Sequence, residues 1–172
     1  MKRLAYIIAV IALWLSAHAV SAQTPGIFQG GGMVKGQRGP VNITSQRLEA
    51  EYDKKRITFI GDVVARQQEF TLYADRLVLF INDEGKDIEK IVAMGKVRMV
   101  QGGKTAVCRE ATYYHREGKV VLRGEPVVKE GDSSVKGARI THSADEQKGV
   151  AEGDTQKGGR VTITIIPDKV KK

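Results

Sequence analysis

The chain has 172 residues, with 28 Lys or Arg against 20 Asp or Glu, a formal charge of +8 and 41% hydrophobic residues. This suits one folded domain with short appendages and excludes wholesale disorder. One cysteine cannot close an internal disulfide, and with three histidines it cannot fill a structural zinc site. Nineteen glycines against four prolines, in a chain rich in Val, Ile and Thr, point to strands and turns rather than long helices.

Lys2 and Arg3 precede an apolar run from Leu4 to Leu15, and small residues then lead to Val20-Ser21-Ala22. This is the layout of a secretory signal peptide over residues 1–22, so export across a membrane is expected. As a helix the run would rise roughly 18 Å, short of a hydrocarbon core of about 30 Å, which favours cleavage over anchoring. Loss of Lys2 and Arg3 lowers the charge from +8 to +6, and His18 and Trp14 leave with them. Residues 23–39, with Gly30-Gly31-Gly32 and no alternating pattern, read as a flexible leader.

From Pro40 onward a repeat organises the chain. Gly61-Asp62-Val63, Gly95-Lys96-Val97, Gly124-Glu125-Pro126 and Gly153-Asp154-Thr155 recur 34, 29 and 29 residues apart. A second anchor lies upstream of each glycine, in Gln46-Arg47-Leu48, Asp75-Arg76-Leu77, Arg109-Glu110-Ala111 and Ala138-Arg139-Ile140. The second copy is longer by five residues around Asn82-Asp83-Glu84-Gly85-Lys86, a polar loop. Within a copy the apolar residues alternate: Leu48, Ala50 and Tyr52, a turn at Asp53-Lys54-Lys55, then Ile57, Phe59, Val63 and Ala65. Period two predicts short paired strands, and the recurring glycine predicts a sharp bend or bulge in each copy. The resulting expectation is an all-β fold, antiparallel strands stacked along one axis as a sandwich or jelly roll.

Pro40 to Ser45, Ile57 to Val64, Tyr73 to Leu77, and Gly153 onward to Arg160-Val161-Thr162 resemble the LptA/OstA-like family, over roughly residues 40–167. The resemblance implies an open, slightly twisted, V-shaped β-jelly roll, with residues 168–172 left as a basic tail. It also implies a periplasmic carrier of lipopolysaccharide that stacks end to end and shields lipid A. The implied partners are an inner-membrane LptC-like protein, an outer-membrane LptD-like protein and further copies of the chain. The inner-membrane relative keeps its anchor and the outer-membrane relative is fused to a barrel; a cleavable signal without a barrel points to the bridge. Glu110 in place of the repeated Arg, and Pro126 in place of Val, depart from the pattern and put the local pairing of the third copy in doubt.

The chemistry of the residues agrees with such a cargo. Ten buried methylenes are worth about 8 kcal/mol, against about 0–1 kcal/mol for an exposed charge pair, so an apolar groove must dominate affinity. Val41, Ile43, Leu48, Phe59, Val63, Leu72, Leu79, Val97, Met99 and Leu122 can line it, and each can equally be plain core. Val41 and Ile43 rank first because they match apolar positions of the family's first strand that face the lipid. Lys35, Arg38, Arg47, Arg66, Arg76, Lys104 and Arg109 can meet phosphates or simply solvate an outer face. Nucleic acid is not an expected partner, because no recognition helix or interleaved aromatics accompany the basic residues.

No catalytic or cofactor site is expected. Cys108 and His115 are seven apart, an odd spacing that puts them on opposite faces of an unbroken strand. His142 has no ligand at metal spacing, and Asp62 and Asp154 sit beside glycines where turn chemistry accounts for them. A purely structural adaptor is the other class to weigh, and its signature would be edge strands. Val161, Thr162, Ile163, Thr164 and Ile165, guarded by Pro167 and lysines, form one; Val41, Asn42, Ile43, Thr44 and Ser45 form the other. These two edges are the expected surfaces of head-to-tail assembly. For the signal peptide, mass spectrometry of the exported protein should find a terminus near Gln23; an intact Met1 in membrane-embedded protein would overturn the cleavage.

Overall fold

The computed structural model describes residues 40–166 apart from Lys86, Ala144 and Asp145. The expected signal peptide, the leader, Pro167 and the basic tail lie outside the described residues. Alternating sequence has become strand throughout: β1 (Asn42–Thr44), β2 (Arg47–Glu51), β3 (Arg56–Gln67), β4 (Phe70–Ile81), β5 (Ile88–Gln101) and β6 (Lys104–Tyr114) are followed by β7 (Lys119–Arg123), β8 (Val127–Glu130), β9 (Ser133–Lys136), β10 (Arg139–Ser143), β11 (Lys148–Glu152) and β12 (Thr162–Thr164). The only helical turn among the described residues is a 3-10 turn at Thr155–Lys157. All pairings are antiparallel.

Connectivity divides this open sheet into two halves that share their central strands. In one half the order is β2, β3, β4, β5, β6, β7, β10, β11. In the other it is β1, β3, β4, β5, β6, β8, β9, β12. β3 to β6 run through both halves as single strands of 11 to 14 residues, so the expectation of short strand pairs is corrected. A long strand can serve two halves because a bulge bends it without ending its ladder.

The repeat glycines make that bend. Between Ile60↔Arg76 and Val63↔Ala74, two residues of β3 (Gly61 and Asp62) oppose one of β4, and between Met94↔Glu110 and Val97↔Cys108 two of β5 oppose one of β6. Both bulge residues are left-handed, with φ +80° at Gly61 and 44° at Asp62, then +76° at Gly95 and 45° at Lys96. The second anchor lies directly above each glycine. A Cβ on Gly61 would come within 2.5 Å of the Gln46 side chain, on Gly95 within 2.9 Å of the Asp75 Cβ, and on Gly124 within 2.5 Å of the Arg109 Cβ. Both parts of the repeat are therefore one device, a glycine on one strand and the side chain of its neighbour folded over it.

At Gly124-Glu125-Pro126 the bend becomes a break, where the chain leaves one half for the other between β7 and β8. This accounts for Pro126, which needs no ladder donor there and is fully buried. The fourth copy differs: Gly153 is not left-handed, and glycine is required because any Cβ would strike the Gly159 carbonyl. Glu110 departs from the repeated Arg without cost, as it faces Arg123 at 3.4 Å. The inserted loop closes on itself through Asn82 and is tied back by Lys55 Nζ, 2.5 Å from the Asp83 carbonyl.

Gly95→Ala should lower stability by about 2–4 kcal/mol, because left-handed strain of about 1–2 kcal/mol adds to the displacement of Asp75. Gly102→Ala, left-handed but with open space around it, should lose only the strain. Urea midpoints of the two variants test this, and equal losses would refute the packing role of Asp75.

Candidate functional site

Cross-strand register sorts the side chains into rows that run the width of each half. On one face of the first half lie Leu48, Phe59, Leu77, Ala93, Ala111, Leu122, Ile140 and Ala151, one per strand. The matching row of the second half is Ile43, Ala65, Leu72, Met99, Ala106, Val128, Val135 and Ile163. Residues of both rows join a single hydrophobic cluster with Val63, Ala74, Val97 and Cys108, so these faces look inward on each other.

Of the expected lining residues, Val63, Leu72, Val97, Met99 and Leu122 are buried in this cluster, and Ile43, Phe59 and Leu79 pack against it. Val41 and Leu48 stand apart. They are 53% and 56% exposed, at the edge where the rows begin. At the opposite edge Ile163 and Ile165 are each 50% exposed. Among the described residues the inner face is therefore closed in its middle and uncapped at both ends.

The expected terminal edges are shorter than the sequence pattern suggested. β1 covers only Asn42–Thr44, because Ser45 turns to place its hydroxyl on the Arg47 carbonyl at 3.0 Å and the Gln46 N–H donates to Gly61 O at the bend. β12 covers only Thr162–Thr164, with Val161 and Ile165 flanking it. Each uses one side for its neighbour, β3 or β9, and presents the other.

The outer face has a different composition. In the first half Thr58, Val78, Val92, Thr112, Val121, Thr141 and Val150 form a β-branched row. Thr58, Val78, Thr112 and Val121 are buried although they are not members of the inner cluster. The row beside them carries long side chains that lie along the sheet, among them Lys90 over the Phe80 ring at 4.3 Å and Lys119 over Tyr114 at 5.0 Å. Sequence reading missed this row, although the alternation of Thr and Val on one parity would have disclosed it.

Most of the candidate cations lie away from the inner face or are paired. Arg47 is 2.6 Å from Glu49, Arg109 pairs with Glu125, and Arg66 and Arg76 sit in outer rows. Lys35 and Arg38 are outside the described residues. Lys104 alone of these follows the inner parity, 3.6 Å from Glu130. His142 lies in the inner row of Ile57, Leu79, Ile91, Tyr113 and Val120. Burial and then the Lys104 ammonium hold its pKa below the ordinary 6.5. Its Nε2 and Glu130 Oε2 are buried with no hydrogen-bond partner among the described residues. Burial pushes the Cys108 thiol up to about 11, which makes it an inert core group.

A group whose folded pKa is depressed gives stability that is present above its unfolded pKa and lost as pH falls through the folded value. Denaturation midpoints should therefore decline on acidification below about pH 6.5. His142→Leu should flatten that decline; an unchanged slope would show that other groups cause it.

The family model described as LptA/(LptD N-terminal domain) LPS transport protein matches residues 42–148, more than half of the chain. The lipopolysaccharide export system protein LptA of Escherichia coli is 29% identical over 140 residues, covering 77% of this chain and 74% of that protein. The protein of the same name from Haemophilus influenzae is 26% identical, covering 77% and 80%. Among solved structures, the fold is shared with LptH of Pseudomonas aeruginosa, described as the LptA-homologous periplasmic component of the lipopolysaccharide transport device. It has a TM-score of 0.66 at 20% identity and covers 76% of this chain and 98% of that one.

Proposed function

We infer from the LptA/LptD N-terminal domain family of lipopolysaccharide transport proteins, to which this chain belongs, that it carries lipopolysaccharide across the periplasm in its inner face. One observation supports this most: the apolar inner rows run from edge to edge, from Ile43 and exposed Leu48 to Ala151 and exposed Ile163, with exposed Val41 and Ile165 flanking the terminal strands. A self-contained domain would cap such a core. An uncapped one offers its ends to acyl chains or to the core of another molecule. Lys104 at the inner margin is the cation best placed for a lipid phosphate, while acyl burial supplies the affinity.

Carriage between two membranes needs a path longer than one domain. In this reading β12 of one copy pairs with β1 of the next, Ile163 beside Ile43, so that the inner row continues without a gap. The contact joins unlike surfaces and grows open stacks. The ends of such a stack would meet LptC-like and LptD-like partners, and the role is non-enzymatic.

Lipopolysaccharide binding, measured at concentrations where the protein is monomeric, should fall about tenfold or more in Val41→Asp and Ile43→Asp, since a charge at an apolar surface carries a desolvation cost. Arg66→Ala, on the outer face beside the same edge, should stay within about twofold. Circular dichroism checks folding. Equal losses in all three variants would refute an apolar cargo site.

A further inference from the structure

Among the described residues the first half of the sheet also ends in two uncovered strands, and their side chains are complementary. β2 carries Arg47, Glu49 and Glu51 on its outer face with Leu48 and Ala50 inside. β11 carries Lys148, Val150 and Glu152 outside with Gly149 and Ala151 inside. The rows of the sheet assign each edge residue a counterpart. The row of Ile60, Arg76, Met94, Glu110, Arg123 and Arg139 begins at Arg47 and ends at Glu152. The row of Arg56, Phe80, Lys90, Tyr114, Lys119 and Ser143 begins at Glu51 and ends at Lys148.

We propose that a second copy of this chain docks its β2 along β11, in a register that continues these rows and is selected by Glu152 meeting Arg47 and Lys148 meeting Glu51 of the next copy. This rests on the end-to-end assembly described above, and adds to it a second strand pair and the determinant of register. Strand direction permits it: β2 and β11 are the first and last of eight strands that alternate in direction, so β2 of the next copy meets β11 antiparallel. Size agrees as well. In this register Leu48, 56% exposed, lies beside Ala151, with Gly149 two residues along the strand, so the bulky edge residue meets the small ones.

Neighbouring registers that keep the same faces are poorer. A shift by two residues in one direction sets Glu152 against Glu49, two like charges. The opposite shift keeps one attraction, Lys148 with Glu49, and sets Arg47 against Val150. Glu49 gains nothing in the continuous register, where it faces Val150. Arg47, Glu152 and Glu51 already have partners within their own copy, Glu49 at 2.6 Å, Arg139 at 3.6 Å, and Arg56 with Lys54, and the joint links these pairs into lines of alternating sign rather than supplying a first partner. The continuous register alone makes two attractions and no repulsion. It is also the register in which Ile163 meets Ile43 in the other half, so both strand pairs form together.

Charge reversal tests this. Arg47→Glu and Glu152→Arg should each weaken self-association about five- to tenfold, as like charges then face each other at the joint. An equimolar mixture of the two variants should recover association to within about threefold of the parent, because every joint in an alternating stack regains an attractive pair. Thermal midpoints verify that both variants fold. In the unaltered protein, carbodiimide should link Lys148 to Glu51 between isotope-labelled and unlabelled copies. Within one copy the two lie seven strand spacings apart, roughly 33 Å along the sheet. If the parent assembles but the single variants assemble equally well, or the mixture is not restored, or the crosslink is absent, the register is wrong and stacking through β1 and β12 stands. If the parent stays monomeric at high concentration, stacking and register both fail, while monomer lipid binding still decides the carrier role.

Discussion

Everything in this molecule depends on a line of left-handed glycines, each roofed by a side chain from the adjacent strand. A sheet of twelve-residue strands without that line would be a single twisted surface with one apolar face open to water. Bending it there folds the apolar face onto itself and keeps every ladder hydrogen bond on either side. Glycine is needed for two independent reasons at Gly61, Gly95 and Gly124. The positive φ is strained for other residues, and the space where a Cβ would sit is already filled by Gln46, Asp75 or Arg109. The residue after each glycine is left-handed too, and at two of the three copies its side chain is held from the neighbouring strand: Gln46 Nε2 donates to Asp62 Oδ2 at 2.6 Å, and Arg109 pairs with Glu125.

This bend also decides what the two faces can be. The inner face is apolar and self-covering, with small residues such as Ala74, Ala93 and Ala111 beside the bend, where Phe59 is the large member of their row, and larger ones such as Leu79, Ile91 and Phe70 farther from it. Among the described residues no second layer covers the outer face. Its β-branched middle row is instead flanked by Lys and aromatic side chains of the row beside it, which lie along the sheet. Among the described cations first considered for phosphates, Lys104, paired with Glu130, alone follows the inner parity.

Much of this was legible before any coordinates. The period near 30, the bulging glycines, the turn at Asp53-Lys54-Lys55 and the polar insertion are local events, written in residue types that tolerate few alternatives. What the sequence could not disclose is that the upstream anchor and the downstream glycine touch, because that contact lies between strands and not along one. The same ignorance of pairing led to short strands being expected where β3 to β6 run unbroken, and left Leu48 and Leu122 equivalent when one is an exposed edge and the other core. Gly153 shows the limit of reading by repetition: it recurs on schedule, yet it serves a close approach to Gly159 rather than a left-handed bulge.

Open edges usually invite indiscriminate pairing, and folds suppress them by shortening or charging them. Here the two devices are divided between the halves. β1 and β12 are three residues each and carry Asn and Thr outward; β2 and β11 are longer and carry charges of both signs. A single-signed edge would repel every copy alike, whereas mixed signs at fixed two-residue spacing favour one register over its neighbours. Strand number matters as much as charge. With eight strands in each half among the described residues, first and last run in opposite directions, so the chain can be extended by a further copy without a parallel joint. A ninth strand in one half alone would reverse that edge and leave the other half unable to pair at the same time. In the proposed stack, the even count in both halves is therefore what would let one bent sheet, and the apolar face inside it, continue from one molecule into the next.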